Sequence, residues 1–400
     1  MSTLSSLHDV QDPTVVDGGV LASLIDVSPA EFAEAYWARR PLVTRARPGG
    51  FGDLFGSDAV DELVSRRGLR TPFLRVAKDG ATLRESTFTS PAGVGASIGD
   101  QLDDTALWRH LADGATLVLQ ALHRTWAPVN DLCARLGADL GHPVQANAYI
   151  TPPQNRGFSD HYDVHDVFVL QVEGSKRWII HEPVHPDPLR NQPWTDRRPA
   201  VEQAARGEAA LDTVLEPGDV LYLPRGWLHA AEAQGAVSIH LTLGIHIWTR
   251  YAVAEQLLQA ALQRLQADPE MRATLPMGPL EVEAEAERVR ERLTAALAEA
   301  DPAPALQRVQ RSQTRPGPLG PLAQLAALET LSEGTPLRLR PALDARLVDH
   351  SLTSRVGAVP VEEADLEAVE RLLSGRVRTA GQLGLDLART LLRAGVVVPG

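Results

Sequence analysis

Between Val144 and Trp248 the hydrophobic pattern of this 400-residue chain changes period, and that change constrains the fold more than any other feature. Apolar and polar residues alternate over 145–151, 166–172, 176–181, 212–215 and 220–223, and over 236–248 with room for one break. Alternation of this kind marks strands with one buried face. Glu173-Gly174 and Glu216-Pro217-Gly218-Asp219 read as turns between strands, and 183–210, rich in Pro, Arg and Gln, reads as an insertion. Many short strands joined by tight turns predict a small antiparallel barrel or jelly roll.

The flanks follow a different pattern. Before about Leu21 the chain is polar and punctuated by Asp, Pro and Gly, which predicts a loose arm. Ser28-Pro29 starts a helix to about Ala38, with Ser28 as N-cap and Phe32, Tyr36 and Trp37 as its apolar stripe. Pro41 to Thr44 reads as a strand, Ser57 as the cap of a helix over 58–65, and 72–76 and 115–122 as strands. Helices are expected over 105–111 and 127–140. After Trp248 the helical period dominates, over 251–267 and 280–300, followed by a linker at 312–321. A strand at 337–339, helices near 363–373 and 383–394 and the terminal Gly395-Val-Val-Val-Pro fit a winged-helix unit. The expected domains are 1–248, 249–313 and 322–400, an α+β organisation.

Composition narrows the function classes. A net charge of -12 argues against nucleic-acid binding through a basic surface and suits a basic protein partner. One cysteine, Cys133, excludes an internal disulfide framework and fits a reducing cytoplasm. No basic start followed by an apolar run marks a signal peptide. No apolar stretch approaches the ~18 residues of a membrane span.

The barrel region carries a metal-ligand pattern. His161-x-Asp163 precedes an alternating strand, and His229 follows a Pro-Gly-Asp turn and a further strand. Strand positions i and i+2 share a face roughly 6.5 Å apart, so one imidazole and one carboxylate can meet a single ion. With His229 they make a two-histidine, one-carboxylate set with open positions, which suits Fe(II), a chelating keto acid and O2. Structural zinc would call for four closed ligands rich in cysteine, which this chain lacks. His165 falls on the same face if the strand has begun by then, and is expected to line the pocket. Ser238, His240 and Thr242 alternate with Ile239, Leu241 and Leu243, so His240 is either a satisfied core group or a pocket group. Lys176 is one of only two lysines among 39 basic residues, and its compact charge suits the far carboxylate of a keto-diacid. Asn147 and Tyr149 share a strand face and are candidates for hydrogen bonds to the same cosubstrate.

Three segments together, N-A-Y-I-T-P-P at 147–153, H-Y-D-V-H-D-V-F-V-L-Q-V-E-G-S-K-R-W at 161–178 and G-D-V-L-Y-L-P-R-G-W-L-H at 218–229, resemble the JmjC-type 2-oxoglutarate oxygenases of the ribosomal oxygenase (cupin-4) group. Tyr36-Trp37 and Arg40-Pro41-Leu42-Val43 are similar to that group's N-terminal region. The resemblance implies a double-stranded β-helix barrel, a helical dimerisation segment and a winged-helix-like domain. It implies His161, Asp163 and His229 as Fe(II) ligands, Lys176 as the anchor of 2-oxoglutarate, and hydroxylation of a ribosomal protein side chain, histidine or arginine. It implies a homodimer whose winged helix does not bind DNA; nine arginines against eight acids over 338–400 give that module no basic excess. Hydroxylation of a small molecule or peptide, demethylation of methyl-lysine and a non-catalytic interaction role are the alternative readings.

Overall fold

The structure is a computed structural model, and it describes residues 19–400 apart from 47–48, 92, 157, 276 and 280–281. The expected N-terminal arm lies outside the described residues except for its last two positions, as does the expected helix start at 280. The chain divides into two compact units, Met1–Ile247 and Trp248–Gly400.

In the first unit, α1 (Pro29–Ala35) begins where the Ser28 side chain accepts the Glu31 N–H at 3.1 Å. Its apolar stripe places Phe32 4.8 Å from the ring of Tyr222 and 5.8 Å from that of Phe168. Burying one such ring stabilises by about 1.5–3 kcal/mol, so this short helix is held by its aromatic face rather than by propensity. α2 (Ser57–Arg66) corrects the expected cap. Ser57 is the first helical residue, and the Glu173 carboxylate accepts both its N–H and its hydroxyl. A carboxylate at a helix N-terminus also complements the helix dipole. α3 (Ala127–Leu140) ends at Gly141.

The strands are β1 (Leu42–Thr44), β2 (Leu74–Lys78), β3 (Thr116–Leu119), β4 (Val144–Thr151), β5 (Asp166–His181), β6 (Leu211–Leu215), β7 (Val220–Leu223) and β8 (Leu228–Ile245). They run antiparallel in the order β1-β7-β5-β8-β4-β3-β2, with β6 added to β5. Alternation sorts their side chains into two cores. Ala146, Ala148, Ile150, Phe168, Leu170, Ile239, Leu241 and Leu243 face the helices, while Val167, Val169, Trp178, Ile180, Leu221 and Leu223 form the barrel interior.

Two expected breaks are absent. Glu173-Gly174 is not a turn, because β5 continues through it, and 236–245 is the second part of the single strand β8, which ends at Ile245 rather than Trp248. The ladder between β5 and β8 instead shifts register between Gln234 and Ile239. Gly174, at φ +60°, takes up this irregularity, and the Gln171 side chain fills it by donating to the carbonyls of Glu173 (2.9 Å) and Gly174 (3.1 Å) and to Ser238 Oγ (2.9 Å). β3 stops earlier than expected, since Ala121 adopts a left-handed φ of +51° and leads into a single helical turn, Leu122–Thr125.

The second unit contains α4 (Arg250–Ala267), α5 (Val282–Ala298), α6 (Ala303–Gln313) and α7 (Pro321–Glu329). The last two flank the expected linker, whose Gly317 N–H is fixed by the Pro341 carbonyl at 2.9 Å. A core of Val369, Leu372, Leu387, Leu391 and Val396 joins α8 (Leu366–Leu373) and α9 (Leu385–Arg393). The strands Leu337–Leu339 and Val397–Pro399 pair, and a meander over 346–360 was not anticipated from sequence.

A Cβ at Gly174 would collide with the Val237 carbonyl, and its φ would be strained for any other residue. Gly174→Ala is therefore expected to destabilise the first unit by at least ~1–2 kcal/mol, measured by chemical denaturation, whereas Gly235→Ala, with nothing near its Cβ, is expected to cost less.

Candidate functional site

His161 and Asp163 lie in the loop before β5 rather than within the strand. What holds them is a backbone clasp. His161 N–H donates to the His229 carbonyl (3.2 Å), His229 N–H donates back (2.8 Å), and Gly226 N–H donates to the Asp163 carbonyl (3.0 Å). This one antiparallel bridge brings the two imidazoles to 4.4 Å between ring centroids. His229 Nε2 stands 3.9 Å from Asp163 Oδ2, and ligand atoms of all three residues lie within 4.8 Å of one another.

The donor set fits a divalent transition ion. His161 Nδ1 contacts the Ser159 carbonyl at 2.8 Å and His229 Nδ1 the Trp227 carbonyl at 3.1 Å. Each carbonyl accepts a hydrogen bond from Nδ1–H, which leaves both Nε2 lone pairs for a metal. Burial, with the field of His161, pushes His229 down to about 4, so it is neutral at neutral pH. For Asp163, burial opposes ionisation, but the fields of His165, His161, His229 and Arg75 outweigh it and hold the carboxyl below its ordinary range.

Deeper in the same cavity lies Lys176. It is 3% exposed, and its ammonium donates to Thr151 Oγ1 at 3.0 Å. The Thr116 hydroxyl donates to the same oxygen at 3.1 Å. With its lone pairs engaged, Thr151 has its own proton to offer to an acceptor in the cavity. Burial pushes the Lys176 pKa down to about 7, because no carboxylate repays the desolvation. A buried cation beside two threonines is a seat for an anion.

Tyr149 lines the cavity and stacks on His240 at 4.8 Å with the rings 4° from parallel. Burial, reinforced by Lys176, keeps His240 well below its ordinary pKa and therefore neutral, and its buried Nδ1 has no hydrogen-bond partner. Asn147 does not line the cavity. Its Oδ1 accepts the Ala121 N–H at 3.0 Å, fixing the left-handed residue that ends β3, and its amide bonds the Tyr149 hydroxyl. His165 also lies off the cavity wall: the strand begins only at Asp166, and the His165 ring meets His246 edge-on at 5.8 Å. The expectation that His165 lines the pocket is corrected on that ground.

Sequence reasoning missed Thr116, Phe158 and Trp178 on the wall, and Thr151 as the partner of Lys176. Thr151 was accessible, since it continues the 147, 149 alternation. Asp166 and Arg225 were also missed. Buried Asp166 accepts from the Tyr222 hydroxyl and from the Arg225 N–H (3.1 Å), and the Arg225 guanidinium reaches on to Asp187 at 2.9 Å. Tyr222 in turn accepts the Ala38 N–H at 2.8 Å. This relay braces the loop carrying Asp163 against the one carrying His229.

A cupin barrel with this triad defines a class, and residues 120–253 match the JmjC domain family. Ribosomal oxygenase 1 of Rattus norvegicus is 38% identical over 263 residues, covering 63% of this chain and 41% of the rat protein. The bifunctional lysine-specific demethylase and histidyl-hydroxylase NO66 of Drosophila persimilis is 29% identical over 258 residues, 63% of this chain and 35% of its own length. The chain thus spans about a third to two-fifths of the length of these relatives. The Escherichia coli ribosomal oxygenase YcfD shares the fold at a TM-score of 0.56 and 18% identity, over 94% of this chain and 98% of the E. coli one.

The clasp and its brace give a direct expectation. The protein should take up one Co(II), and Arg225→Leu should weaken that uptake about 10–100-fold through loss of loop support, as measured by metal titration.

Proposed function

We propose that this chain is an Fe(II)- and 2-oxoglutarate-dependent hydroxylase of a protein side chain, with a ribosomal protein as its target. The observation that carries the reading is the buried, acid-free Lys176 in the same cavity as the His161, Asp163 and His229 set. The three would hold iron on one face, with the remaining positions open to cosubstrate and oxygen. The Lys176 ammonium and the Thr151 hydroxyl would take the far carboxylate of 2-oxoglutarate. Tyr149 would border that carboxylate, and Asn147 would act through Tyr149 by fixing its hydroxyl. Bound there, iron with 2-oxoglutarate supplies oxygen activation coupled to release of succinate and carbon dioxide. Val167, Val169 and Trp178 give the cavity wall an apolar side.

The relatives favour a protein target. Their names include ribosomal oxygenase and histidyl-hydroxylase, and a structure of the E. coli protein is of its complex with cobalt and 2-oxoglutarate. A non-catalytic role would give Lys176 no reason to stay buried and unpaired.

We read the second unit as a helical dimerisation region, 249–313, and a winged-helix-like module, 322–400. On α4, Tyr251, Leu258 and Leu262 are 52%, 45% and 48% exposed and lie on one side of the helix, which favours a homodimer. The balance of arginines and acids over 338–400 favours no direct DNA contact. Among the described residues no helix is long and apolar enough to cross a membrane, and we place the protein in the cytoplasm, where its target is made.

Incubation with Fe(II), 2-oxoglutarate and a bacterial ribosomal-protein fraction is expected to add one oxygen atom to a single protein, seen by mass spectrometry. Succinate formation that persists in Asp163→Ala would sink the assignment. A pH dependence follows from Lys176. Its pKa near 7 leaves it neutral above that pH, so binding a carboxylate then requires uptake of a proton. The KM for 2-oxoglutarate is expected to rise about fivefold from pH 7 to pH 8, and to stay flat in Lys176→Arg.

A further inference from the structure

The rim of the cavity carries positive charge in a chain whose net charge is -12. Arg75 on β2 faces Val118 on β3, which faces Tyr149 on β4, which faces His240 on β8. Directly opposed residues in antiparallel strands project to the same side, so Arg75 belongs to the row that carries Tyr149 and His240. Its guanidinium carbon stands 5.1 Å from the centre of the Phe158 ring, and that ring lies 6.4 Å from Tyr149 and 5.9 Å from His161. Arg75 Nε is buried without a hydrogen-bond partner, and the acid whose charge it meets is Asp163. A bound metal would claim that carboxylate and leave Arg75 uncompensated.

A second arginine repeats the arrangement. In the insertion between β5 and β6, Arg198 stacks at 4.5 Å over Trp194, whose ring lies 6.3 Å from His161. Two aromatic rings therefore lie beside His161, and each is capped by a guanidinium. Arginine keeps its charge across the accessible pH range, and Arg75 also bonds the Tyr149 hydroxyl, which fixes its guanidinium beside the cavity. A cationic side chain entering here would meet two like charges, while a flat neutral one would meet aromatic faces.

We propose that Arg75 and Arg198 are specificity-determining residues that exclude cationic target side chains, arginine and lysine with or without methyl groups, and admit an uncharged one. This rests on the hydroxylase reading and selects among the targets it leaves open. Like-charge juxtaposition beside half-buried Arg75, with exposed Arg198 adding charge from outside, penalises the wrong partner directly, which is how a pocket rejects a ligand of similar size.

The test is a competition on the Co(II)- and 2-oxoglutarate-loaded full chain. Short peptide pools of mixed sequence with a fixed central His, Asn, Arg, Lys or trimethyl-lysine compete for binding, and the retained peptides are counted by mass spectrometry. The His and Asn pools are expected to be enriched at least tenfold over the Arg and Lys pools. Arg75→Glu with Arg198→Glu should narrow or reverse that ratio at least tenfold, while Arg75→Lys with Arg198→Lys should hold it; Co(II) uptake verifies that each variant is folded. Equal retention of all pools by the unmodified chain, preference for Arg or Lys, or a ratio unmoved in the glutamate variant would overturn the proposal. Succinate formation without added peptide is read separately. Its absence with iron would count against the hydroxylase reading and not against the charge selection, which the binding ratio alone decides.

Discussion

The site depends on one antiparallel bridge. His161 and His229 are far apart in sequence, yet the two hydrogen bonds they exchange set where both imidazoles stand, and the Gly226 N–H fixes Asp163 beside them. Backbone bonds give this pairing a rigidity that side-chain contacts alone would lack. The carbonyls of Ser159 and Trp227, each two residues before its histidine, then select the tautomer that leaves Nε2 free. A loop and the first turn of a strand become a ligand set because the backbone is satisfied first.

The barrel supplies the rest through alternation. On β4 and β8 every second residue enters the helix-facing core, and the residues between them, Tyr149, His240 and Thr242, turn toward the cavity, with Thr151 bonded to Lys176. That division explains why a lysine can sit 3% exposed with only a threonine for company. Its burial is carried by the strongly paired strands around it, and the desolvation it suffers is the driving force for taking an anion. Aromatic packing of α1 on Tyr222 and the Asp166–Arg225 relay connect the outer core to the two ligand loops.

Much of this was legible in sequence because it is local. Strands 337–339 and 220–223 and helix 127–140 fall where the period placed them, and the resemblance of the 161–178 and 218–229 segments pointed to the JmjC domain family that residues 120–253 match. The failures share a cause, which is distance along the chain. Glu173-Gly174 looks like a turn until the register shift opposite Gln234 shows it to be a bulge bridged by Gln171. Ser57 looks like a cap until Glu173, 116 residues away, takes over that role. His165 shares a face with His161 only if the strand has already begun, and it has not. Arg225 and Asp166 carried no periodic signal at all, since their value lies in a contact between two loops.

The central claim is that the triad and Lys176 form one site for one cosubstrate, and calorimetric titration of 2-oxoglutarate tests it most directly. The account predicts tight binding to the Co(II)-loaded chain, and a large loss of affinity both when the metal is withheld and in Lys176→Met. Equal affinity for the metal-free protein, or for Lys176→Met loaded with Co(II), would contradict it.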